Sequence, residues 1–169
     1  MTRIYVPATL ELLQRLLDER ELDPVSRTAF AVTSALRESY SSGDDDELAE
    51  VAMAEAARAS LRLLAAGSDD EDGKLGPRRV VVAADVSDIT PRPDLDDAVV
   101  RLSAPVPLSA VASVHVDLAA AEADIARAVQ VIDAADLGDE EAEFVLGDAE
   151  DHELAWYAAQ ELPFLLELL

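Results

Sequence analysis

Arg79-Val80-Val81-Val82-Ala83-Ala84-Asp85-Val86 is the stretch on which the fold turns. It is a run of β-branched and small apolar residues, entered through arginine and left through aspartate. A strand with one wet face would carry polar side chains at every second position. This run has none between Val80 and Ala84, so it reads as a strand buried on both faces. The flanking segments are amphipathic and need an apolar surface to pack on, which places the strand at the centre.

Upstream, Ile4–Val6 reads as a strand ended by Pro7, and Leu10, Leu13, Leu16 and Leu17 share one helical face. Thr28–Thr33 predicts a strand and Ser34–Tyr40 a short helix. A long helix follows from Asp46 to Ala66, with Gly67 as its stop. Downstream, Ala98–Leu102, Ser113–Val116 and Leu154–Tyr157 read as strands. Leu118–Ala135 and Glu161–Leu169 read as helices, Asp139–Phe144 as a single helical turn and Gly147–Glu153 as an acidic loop. Alternating strands and helices predict one α/β domain over residues 1–169, with a mixed sheet of five or six strands. The segment between Val86 and Ala98 has no helical pattern, which keeps an α+β arrangement with antiparallel neighbours open. Residues 67–76, acidic and bounded by glycines, read as an exposed loop.

Composition narrows the function classes. There are 36 acids against 13 bases, a net charge of −23, and Lys74 is the one lysine. Such a surface repels phosphate backbones and anionic lipid, so neither nucleic acid nor membrane is an expected partner. Cysteine is absent, which removes disulfides, thiolate metal sites and cysteine nucleophiles. With no apolar run of membrane-spanning length and no secretory h-region after Met1, a cytoplasmic location is expected.

Gly67–Leu75 fails as a phosphate loop, because the spacing between its glycines is one residue too long and Leu75 stands where a hydroxyl should bind magnesium. It fails as a calcium loop because Arg79 falls where the bidentate carboxylate belongs. Two acidic sets remain. Asp85, Asp88, Asp94, Asp96 and Asp97 follow the central strand, where open α/β sheets place their ligands. Asp148, Glu150, Asp151 and Glu153 surround His152, one of two histidines; the other, His115, reads as packed within its strand or exposed at an edge. If the two loops shared a cleft, the aspartates with His152 would suit Mg2+ or Mn2+ and a metal-dependent enzyme. Trp156-Tyr157 follows the second set directly, and no base occurs after Arg127. An aromatic pair beside an acids-only surface suits a protein partner or self-association.

Arg3-Ile4-Tyr5-Val6-Pro7-Ala8-Thr9, the Arg79–Val86 run, Arg92-Pro93-Asp94-Leu95-Asp96-Asp97-Ala98-Val99-Val100, Gly147–Tyr157 and Glu161-Leu162-Pro163-Phe164-Leu165-Leu166 together resemble an uncharacterised actinobacterial family of short acidic proteins, a domain of unknown function. The resemblance covers nearly the whole chain and implies a bacterial cytoplasmic origin and a self-contained domain. It carries no functional residue. The expected function is a non-enzymatic protein-binding or adaptor module needing no cofactor, with the metal-dependent enzyme as the alternative.

Overall fold

The structure is a computed structural model that describes residues 1–67 and 76–169; most of the expected acidic loop at 67–76 lies outside the described residues. Its centre is β4 (Val80–Val86), paired antiparallel along its whole length with β1 (Thr2–Ala8). On its other side β4 pairs with β8 (Val111–Val116), with an irregularity between Ala83 and Ala84. Val80, Val82 and Ala84 enter one apolar cluster while Val81 and Ala83 enter another, so β4 is buried on both faces as expected.

Among the described residues, six more strands complete two sheets with β1, β4 and β8: β3 (Thr28–Phe30), β5 (Ile89–Pro91), β6 (Val99–Leu102) and β9 (Ala155–Ala158) in the large one, and β2 (Glu21–Leu22) with β7 (Val106–Pro107) in a small one. The large sheet has the order β5-β6-β3-β1-β4-β8-β9, and every neighbouring pair is antiparallel. The α+β arrangement is therefore the one adopted, with seven strands in the sheet among the described residues.

On the first face lie α1 (Leu10–Glu19) and α6 (Leu162–Glu167). Leu10, Leu13 and Leu16 of α1 and Leu162 and Leu165 of α6 meet Ile4, Val6, Val80 and Val82 there. Thr9 caps α1, its Oγ1 accepting from Leu12 N at 3.2 Å. On the second face lies α3 (Asp45–Ala66), which follows the short α2 (Ser34–Ser39). Asp44 caps α3, and Asp45, Asp46 and Glu47 in its first turn complement the helix dipole. Its Leu48, Ala52, Ala56 and Ala57 pack on Tyr5, Phe30, Val81 and Ala83, the alanines allowing close approach.

A third cluster joins α3 to α4 (Glu122–Asp136) and α5 (Glu140–Glu150) through Leu61, Ile125, Ile132 and Leu146. Here the structure corrects the expected single turn at Asp139–Phe144 and the acidic loop at Gly147–Glu153, since α5 runs unbroken through Gly147 to Glu150. Glycine inside a helix costs about 1 kcal/mol. Burial of Ala142, Leu146 and Ala149 along one stripe against α4 outweighs it.

Candidate functional site

The acids after β4 do not gather. The Asp85 carboxylate is held by Arg3, Nε at 2.8 Å and Nη2 at 3.1 Å, which keeps it below the usual carboxylate range. Asp94 is held in the same way by Arg92, again with a lowered pKa. Asp97 accepts from Ser39 Oγ, and its backbone carbonyl accepts from Thr33 Oγ1, which also caps α2. Asp88 is exposed in a left-handed turn (φ 60°). Asp96 lies towards α3, where its charge acts on Glu55.

The second set stands at the other end of β4. Arg79 Nη2 donates to the His152 carbonyl at 2.8 Å, just before Val80, whereas Asp85 lies near the strand's far end. At about 3.3 Å per residue most of a seven-residue strand separates them, so Asp85 and His152 share no cleft. His152 Nε2 instead meets Asp124 Oδ2 of α4 at 2.7 Å. Asp124, far off in sequence, carried no signal that could have found it. Asp148, Glu150, Asp151 and Glu153 are all exposed. Among the described residues, no group of three or more histidine, aspartate or glutamate side chains is placed to hold a metal ion.

The Trp156-Tyr157 pair is divided by the strand's own alternation. Trp156 pairs with His115 of β8 and lies on the α3 side of the sheet, while Tyr157 packs into the α1–α6 side. β9 is an edge strand, and Trp156 on it is 61% exposed. Phe144 of α5 and Phe164 of α6 are 78% and 68% exposed. The chain has only seven aromatic residues, and three of them stand in solvent beyond Arg127, where no base occurs.

Between α3 and the β8–β9 half of the sheet lies a hollow of about 810 Å³. Its floor is Tyr5 and His115; Glu50 and Met53 line it from α3, and Glu153 and Leu154 from the segment before β9. Both histidines line it. His115, expected to be packed in its strand or exposed at an edge, is half-buried with Nε2 2.9 Å from Ser113 Oγ. Burial, aided by the Arg3 charge, pushes its pKa down and favours the neutral ring. Burial likewise pushes the Tyr5 phenol up, so it remains protonated.

Glu55, half-buried on α3, has a raised pKa, chiefly from burial and then from the Asp96 charge. The folded chain therefore holds that proton more tightly than the unfolded chain. Stability contributed by the site falls as pH rises from the ordinary value of 4.5 through the folded one. Glu55→Gln is expected to raise Tm at pH 7 by roughly 1–3 °C, a small gain because solvent screens a half-exposed carboxylate. Thermal scans of both proteins should show the gain shrinking towards pH 4.5. A variant less stable than the parent at neutral pH would contradict this assignment.

Among the described residues, no helix is long and apolar enough to cross a membrane. No curated protein and no solved structure matches the chain. A family model matches residues 2–166, and by that match the chain belongs to a family of unknown function, DUF6912.

Proposed function

We propose that this protein is a non-enzymatic binding module for a basic protein partner. The observation that carries the reading is the exposure of Trp156, Phe144 and Phe164 within residues 128–169, a stretch of sequence with acids and no lysine or arginine. Tryptophan is the residue most enriched at the energetic centres of interfaces, and a surface of this sign steers cationic partners towards it. Among the described residues, β9 has an unpaired strand edge beside Trp156, a ready acceptor for an extended segment.

Trp156→Ala is the right variant, and Tyr157 should be left alone because it packs on the core. Removing an exposed side chain should change stability by less than about 0.5 kcal/mol. Removing an interface anchor should weaken partner binding by roughly 30-fold, the equivalent of about 2 kcal/mol. Affinity capture from the native host, followed by titration of the captured basic protein, gives both numbers. Equal capture by Trp156→Ala and by the parent would remove the proposed surface.

The same preparation tests the magnesium- or manganese-dependent alternative. A resident ion should raise Tm beyond sodium chloride at equal ionic strength, and Asp96→Asn or His152→Ala should reduce that gain. No excess over sodium chloride leaves the acids as solvated surface.

A further inference from the structure

The hollow between α3 and the β8–β9 half of the sheet holds a polar group that the fold leaves without a partner. Tyr5 is only 8% exposed, lines the hollow, and has no hydrogen bond to its hydroxyl among the described residues. The side chain is otherwise buried, and its hydroxyl is not among the fully buried atoms, so it opens into the hollow within reach of a ligand.

The charge left in the hollow fixes the sign of that ligand. The arginines that line it are already matched by acids, and of those acids only Glu150 is itself part of the lining. Arg58 is held by Asp136 at 3.0 Å, Glu143 at 2.8 Å and Glu150 at 4.0 Å, and Arg79 by Asp117 at 2.9 Å, while the His152 ring is hydrogen-bonded to Asp124 at 2.7 Å. Arg3, whose charge reaches His115, is held by Asp85. Glu50 and Glu153 take part in no ion pair among the described residues, and they line the hollow from opposite walls. What remains unmatched is negative.

We propose that this hollow binds an alkylammonium group. The Tyr5 hydroxyl accepts a hydrogen bond from the ammonium, and the ring face is favourable to a cation. Glu50 and Glu153 supply the countercharge. Met53, Leu61 and Leu154 cover the alkyl stem, in the way apolar surface covers a lysine's methylenes. A guanidinium needs a planar, bidentate acceptor, and two single carboxylates on opposite walls suit a compact ammonium better. The inference stands apart from the partner reading, because Trp156 does not line the hollow.

Calorimetric titration of the full chain with pentane-1,5-diamine, pentan-1-ol and Nα-acetyl-lysine methylamide, all at one ionic strength, tests it. An ammonium-bearing ligand should bind at least about tenfold more tightly than the alcohol, the margin of a charge-assisted contact. Tyr5→Phe should weaken it about fivefold, the net worth of one hydrogen bond. Glu50→Gln with Glu153→Gln should weaken it about tenfold or more, and Trp156→Ala should leave it unchanged. Tighter binding of the diamine assigns the ammonium to a free amine; tighter binding of the lysine derivative assigns it to a side chain carried on a protein. If the alcohol binds as well as the amines, or if Tyr5→Phe and the double glutamine variant bind like the parent, the site is overturned. Loss of amine binding with Trp156-dependent partner capture intact would sink this site alone.

Discussion

Arg79→Ala is expected to destabilise the protein by about 3–5 kcal/mol, the usual result of breaking a buried ion pair by removing one member. Arg79 and Asp117 have side-chain exposures of 5% and 0%. Arg79 Nε reaches Asp117 Oδ2 and Nη2 reaches Oδ1, both at 2.9 Å, and the Arg79 backbone N–H donates to Oδ2 at 2.8 Å. With the fourth bond, to the His152 carbonyl, one side chain ties the start of β4 to the end of β8 and to the entry of β9. Truncation strands the Asp117 carboxylate in the interior. For a chain of this size the loss corresponds to a fall in Tm of roughly 6–20 °C, measurable by calorimetry.

Arg79→Met with Asp117→Leu separates the penalty of a stranded charge from the worth of the pair. The double variant should recover part of the loss, because both desolvated charges are gone. Recovery should stay incomplete, since the Arg79 N–H and the His152 carbonyl lose their partners. A single-variant loss below about 1 kcal/mol would show that Asp117 is rescued by water, and that the junction is looser than its geometry indicates.

Ser60→Ala carries the second large effect. Ser60 is fully buried on α3; its hydroxyl donates to the Ala8 carbonyl at 2.7 Å and accepts from Val80 N–H at 3.0 Å. Ala8 and Val80 are the last register pair of β1 and β4, so one hydroxyl closes the end of the central ladder and fixes α3 to it. Alanine keeps the shape and removes both bonds. Each buried group left unsatisfied costs about 1–3 kcal/mol, so the expected loss is about 2–4 kcal/mol by denaturant titration. Ser60→Thr, which retains the hydroxyl, tests whether the bonds or the tight packing matter more. A loss in alanine under about 0.5 kcal/mol would show that backbone or water satisfies the two groups instead.

Sequence alone determined the elements whose burial is a property of the local chain. Arg79–Val86 announces a strand wet on neither face, and β4 is that strand. The leucines of α1 and the small residues of α3 announce one apolar stripe each, and those stripes meet the two faces of the sheet. Net charge and the absence of cysteine also follow from composition and need no coordinates.

Strand direction was decided by tertiary structure, through what each connection packs on the sheet. One long helix, α3, carries the chain back along β1, so β3 and β4 run the same way on either side of it. Two helices, α4 and α5, go out and return, so β9 enters at Ala155 beside Val116, where β8 ended, and the pair is antiparallel. Reading Asp139–Phe144 as one turn hid the second helix, because Gly147 and a weak apolar stripe become helical only with α4 to pack on. Which acids meet was likewise invisible. Asp85 and His152 are brought near or held apart by register and strand length, and β4 puts most of its length between them. The Tyr5–His115 floor and the Asp124–His152 contact join residues remote in the chain, and only long-range packing places such groups together.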